Sequence, residues 1–243
     1  MLMKSLSRYF TTLFIAIFIA SIAPAECEAQ GFLKTLKEKV SGTKNEDSKT
    51  KGKKSKKDDN VDIMDLSLDE NLMRPIVPVK EHDKVAAYMK RLARNLASRK
   101  RERIEMLRDG EVIVATIGTD ALFAPNDSVL RQSAGELLEP YKHLLKSMGM
   151  YKILVVAHTD DTGSEKYTNH LSELRVEAVY KWLRHDVAGN VEIVPYALGS
   201  SDPLLPNNST ANRRSNRRIE IFIVPNKMML EICLLYTSPS PRD

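Results

Sequence analysis

The sequence predicts an α/β domain: a small mixed four-stranded sheet with crossover helices on one face, in the order β-α-β-α-β-β. Three observations carry this. Short apolar or alternating runs recur at 112–118 (VIVATIG), 151–158 (YKILVVAH), 191–199 (VEIVPYALG) and 217–224 (RRIEIFIV). Helical periodicity fills the first two gaps between them, and a polar stretch, SSDPLLPNNSTANRRSN, fills the third. Strands that alternate with helices pack as a sheet with its crossovers on a face.

Each element has its own signal. The run at 151–158 is continuously apolar, as a strand buried on both faces requires. The run at 217–224 alternates instead. The first helix is expected over 130–149, with Asn126, Asp127 or Ser128 as N-cap, Gly149 as a stop, and Pro140 kinking or dividing it. The second follows the acidic turn TDDTG and starts after Ser164 or Ser172. On its wheel Leu171, Leu174, Ala178, Val179 and Trp182 share one side, and Arg175 falls among them. Ahead of the sheet, residues 82–110 read as an amphipathic basic helix, with Val85, Met89, Leu92, Leu96, Ile104 and Leu107 at helical spacing.

The chain has 243 residues, of which 42% are hydrophobic and 28% charged, enough for one core but not for a core throughout. Residues 1–29 read as a secretory signal: Lys4 and Arg8, then a short apolar run, then small residues, with cleavage after Ala25 or Ala29. Glu26 directly before Cys27 is a poor context for lipidation. Residues 30–81 are Lys-rich and read as a disordered or extended linker. Its cations suit solubility and reach, or attraction to anionic headgroups or glycan. The net charge of +5 is largely local to such stretches, so it does not argue for nucleic-acid binding. Residues 233–243 (CLLYTSPSPRD) are encodable by a string that resembles a sequencing adapter read in frame, and are expected to lie outside the natural protein. Without Cys27 and Cys233 there is no cysteine, hence no disulfide or thiol chemistry.

The chemistry gathers at Asp160 and Arg175. Asp160 lies just past the C-terminal end of a buried strand, where open α/β sheets bind ligands. An arginine on an apolar helix face needs an anion. Two readings stand on spacing alone. In one, the two residues form a structural salt bridge. In the other, they grip the ammonium and the carboxylate of a free amino-acid headgroup. Catalysis has little support. Five histidines occur, none paired at ligand spacing with His158; there is no Gly-rich phosphate loop and no nucleophilic serine motif, so neither a metal nor a cofactor is expected.

The motifs HTDDTGSEKYTNHLSELRVEAV and ALGSSDPLLPNNSTANRRSNRRIEIFI, with LFAPNDSVL before them, resemble the OmpA-like C-terminal domain over residues 112–224. This family's module associates with peptidoglycan, and the resemblance extends the domain to 111–226. It implies non-covalent binding of the diaminopimelate side chain, with Asp160 from the TD turn and Arg175 from LSxxR as ligand-binding residues. Thr159, Asp161, Thr162, Gly163, Asn216 and Arg218 are the implied pocket wall. Asp161 replaces the family's usual Asn, Ala157 its usual Gly and Val176 its usual Ala. With no ligand, Arg175 is expected to fall back on Asp160. The resemblance implies an exported protein of the periplasm that tethers the outer membrane or an envelope assembly to the wall. Membrane association would be peripheral or through a partner. The alternative is a scaffold whose helix at 82–110 docks a protein such as one of the outer membrane.

Overall fold

The computed structural model describes residues 62–98, 102–147, 149–189 and 191–235. The expected signal peptide at 1–29, most of the expected linker and residues 236–243 lie outside the described residues. No helix among the described residues is long and apolar enough to cross a membrane.

Five strands form one sheet: β1 (Arg103–Leu107), β2 (Val112–Gly118), β3 (Tyr151–His158), β4 (Glu192–Gly199) and β5 (Arg218–Pro225). Their spatial order is β1-β2-β5-β3-β4, antiparallel except for the β3–β4 pair. The helices are α1 (Leu68–Met73), α2 (Val79–Ala97), α3 (Thr119–Leu122), α4 (Ala134–Leu145), α5 (Glu165–Arg184), α6 (Thr210–Asn216) and α7 (Lys227–Leu235). The mixed sheet with crossover helices is as expected, but it has a fifth strand.

That strand corrects the helix expected over 82–110. The helix ends at Ala97, and 103–107 pairs with β2 in register Ile104↔Ala115 and Met106↔Ile113. Ile104 and Leu107 fit helical spacing, but RIEML also alternates. The backbone bonds of a sheet edge, with Ile104 and Met106 against the main core, favour the period of two. The linker also ends earlier than expected. Ser67 and Glu70 form a capping box that starts α1: the Ser67 hydroxyl accepts from the Glu70 amide, and the Glu70 carboxylate accepts from the Ser67 amide at 3.0 Å. Leu68 and Leu72 are the apolar reason for docking. α7 runs through position 233, across the expected end of the natural sequence.

Period-two alternation sorts the strands between two cores. Ile113, Ala115 and Ile117, with Ile153, Val155 and Ala157, and Ile219, Ile221 and Ile223, face α2, α4, α5 and α7. Val112, Val114, Leu154, Val156, Phe222 and Val224 face the other way, where α1 covers them. Helices on one face alone is therefore incomplete. β3 is buried along all of its length, as its continuous apolar run requires. α4 begins only at Ala134, after Ser133, and contains Pro140 without being divided. Asp127 does not cap it; its Oδ1 instead accepts from the amides of Ser128 and Val129 at 2.7 and 3.0 Å.

The second face is tied down by polar contacts. Lys152 Nζ, on β3, donates to the Asn71 carbonyl, the Asn71 side chain and the Arg74 carbonyl at 2.7, 2.9 and 2.9 Å. Arg108 donates to the carbonyls of Leu72 and Pro75 at 2.8 and 3.0 Å. Four carbonyls at the end of α1 thus converge on two cations, the favourable sense for a helix C-terminus.

Candidate functional site

Ser164 starts α5, with its hydroxyl accepting from the Tyr167 amide at 3.2 Å. The alternative start at Ser172 is not taken. Arg175 therefore lies deep in the helix, on a buried face made by Thr168, Leu171, Ser172, Val176, Val179 and Leu183. Leu174, expected on that face, is 44% exposed.

Arg175 itself is 3% exposed. Its Nε donates to the Asp127 carbonyl at 2.9 Å, and its guanidinium lies 5.3 Å from the Phe123 ring centre. Its Nη1 is buried and has no hydrogen-bond partner. Such a group is costly unless something completes it. Burial lowers the pKa of Arg175 and nearby Arg217 lowers it further, against the opposing pull of Tyr167, Asp127 and Asp160.

Asp160 is 6% exposed. Its Oδ1 accepts from the Thr162 amide at 3.0 Å, and its Oδ2 accepts from Arg217 Nη1 at 2.5 Å. Burial pushes the carboxyl up, but the bonds from Arg217 and Thr162 outweigh it and hold it below the ordinary carboxylate value. The expected Asp160–Arg175 salt bridge is thus not the resting arrangement. Arg217 takes that place, because it caps the end of α6, where the Thr119 amide fixes its carbonyl at 3.0 Å.

Both residues line one cleft of about 330 Å³, together with Thr159, Thr162, Phe123, Asn126, Arg131, Tyr167, Thr168 and Arg217 among others. Thr159 Oγ1 is a second buried polar atom without a partner. Of the expected wall, Thr159 and Thr162 are present, while Asp161, Gly163, Asn216 and Arg218 are not among the lining residues. Gly163 is in the left-handed region at φ +107°, which turns the chain from Asp160 into α5. Asn216 is fully buried and braces the preceding loop, bonding Leu205 at both its amide and carbonyl and Asn207 through its side chain.

Arg218 lies beneath the site, not on its wall. Its Nε donates to Glu220 Oε1 at 2.7 Å, and its Nη2 lies 3.4 Å from Asp202. Glu220 Oε2 lies 3.2 Å from His158 Nε2. Strand alternation explains the difference between neighbours: Arg218, Glu220 and Phe222 point to the face that carries α1, whereas Arg217 lies outside the strand and is free to reach the cleft. Burial raises the pKa of Glu220, yet the His158 bond and the Arg218 charge pull it down to about 2. This cluster joins the end of β3, the start of β5 and the loop between β4 and α6.

Phe123, Asn126 and Arg131 carry no signal in the sequence, because they join the cleft only through tertiary packing. Arg217 had a signal: once Arg218 is read as the inward residue of an alternating strand, its neighbour must face elsewhere.

Residues 122–217 match the OmpA family. The chain is 31% identical over 109 residues to the outer-membrane lipoprotein YfiB of Pseudomonas aeruginosa, covering 44% of this chain and 64% of that protein. It is 31% identical over 112 residues to the peptidoglycan-binding protein ArfA of Mycobacterium tuberculosis, covering 46% of this chain and 34% of that one. The chain thus spans less than two thirds of the length of these relatives. Among solved structures, a MotB-like protein from Desulfovibrio vulgaris shares the fold, with a TM-score of 0.51 at 24% identity over 60% of this chain and 96% of that one. The segment at 122–217 thus matches the OmpA family, and the chain shares the fold of that MotB-like structure.

Proposed function

We propose that this domain binds peptidoglycan without covalent chemistry, by gripping the free amino-acid end of a diaminopimelate side chain. The observation that carries the reading is the buried, unpartnered Nη1 of Arg175 in the same cleft as Asp160. A ligand carboxylate completes Arg175, and a ligand ammonium takes Asp160, each through a charge-assisted bond. The name of the ArfA relative, a peptidoglycan-binding protein, supports peptidoglycan as the polymer bound. The chain would act as an exported protein of the periplasm, holding the outer membrane or an envelope assembly to the wall.

The test is sedimentation with purified diaminopimelate-type peptidoglycan. Asp160→Ala and Arg175→Ala each remove one charge-assisted contact, worth ~1.5–3 kcal/mol, so binding should fall about tenfold or more. Unchanged binding in both variants, with the fold intact by circular dichroism, would refute the site.

A second reading, docking of an envelope protein on α2, is favoured by a groove of about 580 Å³ between α2 and β1, lined by Ala87, Lys90, Ala93, Arg94, Ala97, Ile104 and Met106. Ala87→Glu with Ala97→Glu should abolish co-purification of such a partner and spare wall sedimentation. Equal loss of both would reject a separate docking face.

A further inference from the structure

We propose that Arg217 is a second anion-binding arm of the site, released from Asp160 by the incoming ammonium, so that the domain selects ligands with one ammonium and two carboxylates. This rests on the peptidoglycan reading above and narrows its ligand.

Each oxygen of Asp160 already accepts one bond, Oδ1 from the Thr162 amide and Oδ2 from Arg217. An ammonium therefore reaches Asp160 only by sharing or displacing the Arg217 guanidinium. That side chain can move: it is 36% exposed. Its backbone cannot follow, because the Arg217 amide bonds Arg213 and its carbonyl accepts from Thr119. A displaced guanidinium thus stays at the mouth of the cleft.

Charge then decides what must accompany the ammonium. Among the described residues, the cleft is lined by Arg131, Arg175 and Arg217 and by two carboxylates, Asp120 and Asp160. Asp120 is engaged by Arg214 at 2.6 Å. A ligand with one ammonium and one carboxylate would complete Asp160 and Arg175 and leave Arg217 without its anion beside another guanidinium. A second ligand carboxylate removes that imbalance, and a planar guanidinium is suited to take it in a bidentate fork. In a stem peptide this group has two sources: the free α-carboxylate of the γ-linked glutamate, or the second carboxyl of diaminopimelate itself.

The experiment is calorimetric titration of the chain with synthetic N-acetyl-L-alanyl-γ-D-glutamyl-diaminopimelate, whose one ammonium is that of diaminopimelate. Further arms use the peptide amidated at the glutamate, at the second diaminopimelate carboxyl, or at both. One single amidation should weaken binding about tenfold, and that arm identifies the source. Arg217→Gln should weaken the parent peptide by a similar factor and be indifferent to that same amidation. If neither single nor double amidation matters, or if Arg217→Gln binds the parent more tightly than wild type, Arg217 is only a competing counter-ion and the inference falls. Binding that needs Asp160 and Arg175 but ignores these changes overturns this inference alone. Absence of binding by every peptide overturns the peptidoglycan reading and this one with it.

Discussion

Replacing Glu220 with Gln tests whether the buried cluster under the site is held by charge. Glu220 is fully buried, between His158 and Arg218. Its carboxyl sits at about 2 instead of the ordinary 4.5. That difference corresponds to about 3 kcal/mol of folding stability. The folded pKa lies below the unfolded one. The contribution is therefore present in full above about pH 4.5 and is lost as pH falls through about 2. Glu220→Gln keeps the shape but removes the charge opposite Arg218, so at pH 7 the variant should be less stable by about 3 kcal/mol, in the range for breaking a buried pair. Urea unfolding of both proteins between pH 7 and 2.5 is the assay. Carboxylates common to the two cancel in the difference, so the gap should narrow below pH 4.5 and fall to about a quarter of its pH 7 value at pH 2.5. A gap that stays constant with pH, or no gap at pH 7, would refute the reasoning.

Other outcomes follow from single contacts. A Cβ at Gly199 would lie 2.1 Å from Asn169 Oδ1 and 3.3 Å from its Cα, at φ +52°. Gly199→Ala should thus cost about 1–3 kcal/mol by chemical denaturation, and should weaken wall binding, since the Gly199 carbonyl holds the Thr159 amide at 2.7 Å. Lys152 is lowered from the ordinary 10.5 to about 8, first by burial and then by Arg108 and Arg74 against the pull of Glu192. Between those values the unfolded chain holds more protons, so wild-type stability should rise with pH relative to Lys152→Met; parallel curves from pH 7 to 10.5 would contradict this. Ser67→Ala removes the cap of α1 and should cost about 1 kcal/mol, read as faster hydrogen exchange at 68–73; unchanged exchange would argue against the cap.

Much of the domain is legible in its sequence because burial leaves a period. The continuous run YKILVVAH can only be a strand covered on both faces, and it is the buried β3. Arg175 stands out for the same reason, as a cation on a buried helix face. Where two periods fit, reading fails. Ile104 and Leu107 suit a helix and a strand alike, and pairing with β2 decides between them. Leu68 and Leu72 are too few to outweigh the polar composition around them until Lys152 and Arg108, distant in sequence, supply partners for the α1 carbonyls. The Asp160–Arg217 pair is of the same kind, since it depends on where α6 ends.

The anchoring of α1 gives the domain a mechanical axis. A pull applied at residue 62 reaches the sheet through Leu66, whose carbonyl accepts from Tyr196 on β4 at 2.9 Å, and through Asn71 and Arg74, whose carbonyls hold Lys152 near the start of β3. Asp160 follows two positions after His158, where the same strand ends. Tension between the linker side and a ligand held at Asp160 would therefore run lengthwise along β3. That strand is flanked by β5 on one side and β4 on the other. Such force shears two ladders of backbone bonds together, the direction in which a sheet yields least, instead of peeling one strand from an edge.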